Sequence, residues 1–125
     1  MISFETAKAL KNEGLIWKPQ MYDLFEINKG IEMVETLFLY NGNIENVNAH
    51  EWNKDKFIWY PRLEQMMVEI QRREYVIDLL SPNDILGEWR IILRGGVSDP
   101  HFYAKSPEEA TAKALLWLLH TEVKE

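Results

Sequence analysis

The fold of this chain is most clearly readable in residues 106–120, SPEEATAKALLWLLH. Ser106 is a typical N-cap, Pro107 suits the first helical position, and Glu109 stands where the acid of a capping box bonds back to the cap. An Ala, Leu and Trp face follows, so the stretch predicts a helix that buries one side against the rest of the chain. These residues predict how the chain folds but indicate neither a reaction nor a ligand.

Length and composition are typical of one globular domain. The chain has 125 residues, of which 46% are hydrophobic and 27% are charged. A chain of this length buries about two thirds of its unfolded surface, so it needs neither a metal nor a disulfide for stability. We therefore expect a single α+β domain over residues 1–125. The sequence contains no cysteine, which excludes disulfides, thiolate metal sites and cysteine nucleophiles.

The charge balance and the first residues bear on location and partners. The chain has 20 acidic and 14 basic residues, a net charge of −6 that repels polyanions and disfavours duplex nucleic acid as a partner. Residues 1–5, MISFE, carry no basic or long apolar segment of a secretory signal. The longest apolar run is too short to cross a bilayer. We expect a cytoplasmic protein that does not contact membranes.

Two further helices are predicted upstream. The first spans Phe4 to about Glu13, with Ser3 as its N-cap and Gly14 as its stop. The second has Pro61 at its first helical position. Its core face follows the i, i+3, i+4, i+7 pattern, with apolar residues at Leu63, Met66, Met67 and Ile70.

Strand-forming residues occupy most of the remaining chain. Strands are expected at residues 21–27, 33–40, 75–80 and 89–94, with a short final strand at 101–104. The first two strands flank a turn at residues 28–30 and are predicted to pair as a hairpin. The Asn-rich residues 41–53 are predicted to form a long loop.

The element order is therefore α-β-β-α-β-β-(β)-α, which defines an α+β fold. It indicates a mostly antiparallel four- to five-stranded sheet with about three helices. Arg90 and Arg94 alternate with Trp89, Ile91 and Leu93, so one face of the sheet is expected to be partly polar. We expect the helices to lie largely on the other face.

Three segments carry a family resemblance. They are residues 2–14, residues 59–66 and residues 106–119, the last preceded by the strand containing Trp89. They resemble segments of small uncharacterised proteins encoded by bacteriophages and prophages, and the C-terminal part is similar to a phage α-β-α sandwich domain. The resemblance implies a phage or prophage origin and a small α+β fold. The resemblance assigns no functional residue, since the matching motifs are helix caps and the apolar faces of helices.

Candidate catalytic and metal-ligating residues are few. His50, His101 and His120 include no pair with the H-x-x-x-H spacing of a metal site, and His120 is explained more simply as a cation near a helix C-terminus. Pairs of acids such as Asp23 and Glu26 arise by chance in so acidic a chain. We expect no metal, no other cofactor and no enzymatic activity.

The aromatic residues before the second helix are the strongest binding candidates. Trp52, Trp59 and Tyr60 crowd a segment that also carries Lys54 and Lys56. Aromatic and basic side chains together suit the stacking of single-stranded nucleic acid or a nucleotide. Buried aromatic residues equally suit a protein interface. The structural alternative is that these side chains hold the loop against the sheet.

Two functional hypotheses follow. The first is a non-enzymatic, phage-associated accessory protein that binds an unknown protein partner, with self-association as a variant of this idea. Its candidate surface comprises Trp52, Lys54, Lys56, Trp59, Tyr60, Arg90 and Arg94. The alternative is a single-stranded nucleic-acid or nucleotide-binding protein, which requires its basic residues to converge on one face. Those basic residues are Lys54, Lys56, Arg72, Arg73, Arg90 and Arg94.

Overall fold

The computed structural model describes residues 1–16, 23–30, 33–38, 57–82, 87–96 and 98–123. Within these ranges the elements are α1 (Phe4–Asn12), β1 (Leu24–Gly30), β2 (Met33–Phe38), β3 (Phe57–Tyr60), α2 (Leu63–Gln71), β4 (Val76–Leu80), β5 (Trp89–Arg94), β6 (His101–Ala104) and α3 (Pro107–Val123). The predicted α+β class, antiparallel strand pairing and three helices are confirmed for the part of the chain described.

The described strands divide between two antiparallel sheets of three strands, where the sequence indicated one sheet of four or five. The first sheet has the order β2-β1-β3 and the second has the order β4-β5-β6. The predicted hairpin is present, because β1 pairs with β2 and Leu24 lies opposite Phe38. The additional strand is β3, which places Trp59 opposite Phe25 and Tyr60 opposite Leu24.

The second sheet packs one of its faces against the helices. Ile91 and Leu93 of β5 belong to the core, and Ile77, Leu79 and Phe102 pack against it from β4 and β6. Helix α2 contacts β4, and helix α3 contacts β5 and β6. Because side chains alternate along a strand, the intervening residues of β5 face away from these helices.

Helix α3 lies at the centre of the core. Ala110, Ala112, Ala114 and Leu115 are fully buried. These small side chains allow close approach, and α3 contacts α1, α2, β5 and β6. The core that includes this helix also contains residues of α1, β3, α2 and β5. The predicted burial of one side of the C-terminal helix is therefore confirmed.

The N-caps of α1 and α3 are as predicted, but the role of Glu109 is different. Ser3 Oγ accepts a hydrogen bond from Thr6 N at 3.1 Å, and Ser106 Oγ accepts one from Glu109 N at 3.1 Å. The Glu109 carboxylate does not bond back to its own cap. It accepts hydrogen bonds from Ser3 N at 2.6 Å and from Thr6 Oγ1 at 2.8 Å. The acid of the predicted capping box therefore joins the start of α3 to the start of α1.

The other ends of these two helices also meet. His120 Nδ1, in the last part of α3, lies 3.4 Å from Glu13 Oε2, just after α1. Since the starts of α1 and α3 are joined as well, the two helices run parallel to each other.

Helix α2 begins two residues later than the sequence predicted. Its N-cap is Arg62, in extended conformation at φ −78° and ψ 163°, and Pro61 precedes the cap as a buried residue. Gln65 Oε1 accepts a hydrogen bond from Arg62 N at 2.8 Å, which satisfies the backbone of the cap. Met66 and Ile70 are fully buried, as the apolar period predicted.

Candidate binding surfaces around helix α2

Strand β3 directs its two candidate aromatic residues to different cavities. Tyr60 is 5% exposed and belongs to the core, whereas Trp59 is only partly buried. Successive side chains of a strand point to opposite faces. Trp59 accordingly lines one cavity and Tyr60 lines another. The structure therefore does not bring these two residues together in one aromatic patch.

The first cavity, named here the Trp59 pocket, lies along the exposed side of α2. Its volume is about 180 Å³. Its walls include Ile16, Trp59, Glu64, Val68, Glu69 and Arg72. Ile16 is 71% exposed and Val68 is 50% exposed, so two large apolar side chains are presented to solvent beside a tryptophan.

Ion pairs form one side of the Trp59 pocket. Glu69 Oε1 lies 3.1 Å from Arg72 Nη1, and Glu69 Oε2 lies 3.1 Å from Arg73 Nη1. The pairing of Glu69 with Arg73 follows from their spacing of four on the helix. Arg73 Nη1 also donates to the Glu69 carbonyl at 2.7 Å, which ties this arginine to the end of α2.

The second cavity, named here the Tyr60 cavity, lies where β3 leads into α2. Its volume is about 510 Å³. Leu24, Tyr60, Pro61 and Leu63 provide its apolar walls. Charged groups line it as well, and one of them, Glu64, also lines the Trp59 pocket. The two cavities therefore adjoin at Glu64.

A buried carboxylate organises the polar side of the Tyr60 cavity. Asp23 is fully buried and its Oδ1 accepts a hydrogen bond from Gln65 Nε2 at 2.8 Å. Arg62 Nη1 lies 3.4 Å from the same oxygen, while Arg62 Nε donates to Glu64 Oε1 at 2.9 Å. The guanidinium is thus held between a buried and an exposed carboxylate. A buried carboxylate requires such partners, because leaving it without them costs several kcal/mol.

Two of the candidate arginines lie on the outer face of the second sheet. Arg94 is bonded to Asp78 and lies 3.4 Å from Asp99. The hydrogen bond from Arg94 to Asp78 and the charge of that carboxylate raise the pKa of the Arg94 guanidinium above its ordinary value. Arg90 lies on the same face, in register with Leu80 and Tyr103. This face therefore combines Arg94 and its two acids with Arg90 and with exposed apolar side chains.

The described basic residues of the nucleic-acid hypothesis do not converge. Arg72 and Arg73 lie at the end of α2, in the helical layer, and both pair with Glu69. Arg90 and Arg94 lie on the sheet face that points away from that layer. Trp52, Lys54 and Lys56, together with His50 and the rest of the predicted loop, fall outside the described residues.

The described residues offer little for metal chemistry. They contain no group of three or more His, Asp or Glu side chains placed to hold a metal ion. His101 lies with its ring centroid 6.5 Å from that of Tyr103, and His120 pairs with Glu13.

Among the described residues, no helix has the length and hydropathy needed to cross a membrane.

Comparison with known proteins does not assign this chain to a family. Protein-family models, curated proteins and solved structures all gave no match.

Sequence reasoning identified one wall of these cavities and missed the others. Trp59 and Tyr60 were named because aromatic residues crowd that segment. Ile16 and Val68 carry no such signal, since single exposed apolar residues are common in any sequence. The role of Asp23 has no local signal in so acidic a sequence, since its partner Gln65 lies 42 residues away.

Proposed function

We propose that this chain is a phage- or prophage-associated accessory protein that acts in the cytoplasm by binding another protein, without catalysis of its own. The observation that carries the binding role is the Trp59 pocket, where exposed Ile16 and Val68 lie beside a partly buried tryptophan. The resemblance of residues 2–14, 59–66 and 106–119 to phage proteins supports the proposed origin.

The size of the Trp59 pocket favours a protein partner over a small ligand. Sites for small molecules and cofactors typically enclose ~300–1,000 Å³. The Trp59 pocket encloses about 180 Å³, which suits one inserted side chain. Interfaces concentrate their binding energy in a few such aromatic and apolar anchors.

The ion pairs beside the pocket support the same conclusion. Glu69 and Arg72 present both signs of charge at the edge of an apolar centre. An apolar centre with a polar rim is the usual anatomy of a protein interface. The described arginines of the nucleic-acid hypothesis give it less support, because they lie on two layers and three of them, Arg72, Arg73 and Arg94, pair with acids.

The experiment that tests this function is capture of a partner from the native host with the tagged chain, followed by measurement with purified components. Two matched variants are compared, Val68→Gln in the Trp59 pocket and Val76→Gln on the outer face of β4. Both valines are exposed, at 50% and 62%, so both variants should fold. We expect Val68→Gln to weaken partner binding at least about fivefold, the effect of ~1 kcal/mol, and Val76→Gln to leave it unchanged.

Three outcomes are distinguishable. A stoichiometric protein partner with the expected difference between the variants supports the proposal, and the partner can be a second copy of this chain. Equal binding by the two variants removes the Trp59 pocket as the interface. Captured nucleic acid that dissociates as salt is added would replace protein binding with the nucleic-acid hypothesis.

A further inference from the structure

The second sheet has the order β4-β5-β6, so β4 and β6 are its edge strands. The backbone N–H and C=O groups of successive residues point to alternate sides of an antiparallel strand. Leu93 N donates to Pro100 O at 3.1 Å, which turns the backbone groups of Leu93 toward β6 and those of its neighbour Ile92 toward β4. Ile92 lies opposite Asp78 in a regular register. The backbone groups of Asp78 are therefore turned toward β5.

The neighbours of Asp78 leave the other side of β4 open. Ile77 and Leu79 direct their N–H and C=O groups away from β5, where no described residue bonds to them. Their side chains pack against the core, which holds this part of the backbone in place. On the outer face of the strand, Val76 is 62% exposed and Leu80 is 38% exposed. The β4 edge, as we name these four residues, therefore combines unpaired backbone groups with exposed apolar side chains.

The other edge of the sheet is closed by a lysine. Pro100 points toward β5, so Tyr103, three residues later, points its backbone groups to the open side of β6. Lys113 Nζ donates to Tyr103 O at 2.7 Å. Lysines, prolines and bulges commonly protect a sheet edge from pairing with another chain. Strand β4, VIDLL, contains neither lysine nor proline, and its regular register leaves no bulge.

We propose that the β4 edge binds an extended segment of another protein, which adds an antiparallel strand to the second sheet. In this mode of recognition, backbone hydrogen bonds supply affinity and side chains at alternate positions supply specificity. Val76 and Leu80 lie four residues apart on the outer face, so the segment that fits carries two apolar side chains at the same spacing. The β4 edge is separate from the Trp59 pocket, and the inference does not depend on the proposed function.

A second copy of this chain fits the β4 edge less well than a segment of another protein. Two copies can pair their β4 strands around a two-fold axis, with Ile77 of each bonded to Leu79 of the other. This register places the two Asp78 residues directly opposite each other. Like charges in that position destabilise strand pairing. A segment of another protein carries no such restriction on the residue that faces Asp78.

A designed peptide tests the β4 edge without the natural ligand. The probe has seven residues, with lysine at both ends, valine at positions 2 and 6 and threonine at positions 3 to 5. Its valines have the spacing of Val76 and Leu80. The probe is titrated into the isotope-labelled protein, and we expect saturable shifts of the Ile77 and Leu79 amide resonances but not of Tyr103 on the protected edge. The absence of saturable shifts at Ile77 and Leu79 would overturn the proposal.

Methylation of the probe backbone distinguishes strand addition from apolar contact alone. In the antiparallel register that aligns the valines, the N–H groups of positions 3 and 5 donate to the carbonyls of Leu79 and Ile77, and those of positions 2 and 6 point away. Two probes are compared, N-methylated at positions 3 and 5 or at positions 2 and 6. We expect the first to bind at least about fivefold more weakly, because it loses two backbone hydrogen bonds. Equal binding of the two methylated probes contradicts strand addition.

The valine variants separate the β4 edge from the Trp59 pocket. Val76→Gln removes an exposed apolar side chain from the edge, and Val68→Gln removes one from the pocket. We expect Val76→Gln to weaken probe binding about threefold and Val68→Gln to leave it unchanged, the reverse of their effects on the partner at α2. Probe binding that Val76→Gln leaves unchanged overturns the proposal. Shifts of Ile77 and Leu79 with protein concentration alone would assign the edge to a second copy and overturn it as well.

Discussion

At the junction of α1 and α3, the Glu109 carboxylate is bonded to both Ser3 and Thr6. One residue earlier, Glu108 lines the Tyr60 cavity with no described partner. Along α2, Ile16 and Val68 are likewise exposed rather than packed. The contact between α1 and α3 uses its polar groups to hold the fold together, whereas the cavities around α2 leave polar and apolar side chains available for a partner. The difference separates residues that stabilise the domain from residues that can change without unfolding it.

The largest effect on stability is expected on the inner side of α2, at Asp23. Asp23→Ala removes a buried hydrogen bond to Gln65 and the ion pair with Arg62. Removing one partner of a fully buried ion pair costs ~3–5 kcal/mol, but Arg62 is 36% exposed and can be rehydrated, so we expect a loss of about 2–3 kcal/mol. Urea unfolding monitored by circular dichroism measures this free energy.

A second variant identifies the cause of that loss. Asp23→Asn keeps an oxygen that can accept from Gln65 and removes only the charge. We expect it to destabilise the protein less than Asp23→Ala does. If Asp23→Ala is as stable as the unmodified protein, then the buried carboxylate does not organise the start of α2.

The next largest effect is expected at Glu109, compared with its neighbour Glu108. Both acids lie in the first turn of α3, so both interact with the same helix dipole. Glu109→Gln weakens two charge-assisted hydrogen bonds to α1, and we expect it to cost about 1 kcal/mol. Glu108→Gln has no described bond to lose and should change the free energy of unfolding by less than ~0.5 kcal/mol. Equal losses in the free energy of unfolding would show that the hydrogen bonds from Glu109 to α1 do not make it more stabilising than Glu108.

The smallest effect is expected at the other end of the α1–α3 contact. His120 and Glu13 are 54% and 34% exposed, so solvent screens their ion pair. We expect His120→Gln to change the free energy of unfolding by no more than ~0.5 kcal/mol, measured by the same urea titration. A loss as large as that of Glu109→Gln would show that both ends of the contact contribute equally.

The features that local sequence encodes were predictable. The helix stop near Gly14, the caps at Ser3 and Ser106, and the strands at 89–94 and 101–104 depend on neighbouring residues and on simple periods. The class, the three helices and the antiparallel hairpin followed from the same signals.

The features that depend on distant partners were not predictable. Strand β3 reads FIWY, which has no alternation of polar and apolar residues, and its pairing is with β1 far upstream. Glu109 had a local cap available, but its carboxylate bonds to residues more than 100 positions away. Of the proposed binding surface, Trp59 is identifiable from its residue type, while Val68 becomes a candidate only through its exposure.

Binding of the partner along α2 is tested most directly by a map of the interface. The isotope-labelled protein is titrated with the purified partner, and its amide resonances are followed. We expect the amide resonances of Ile16, Trp59, Val68 and Arg72 to shift or broaden, while that of Val76 on the outer sheet face does not change. Perturbation of Val76 and its neighbours on that face, with the α2 resonances unchanged, would contradict it.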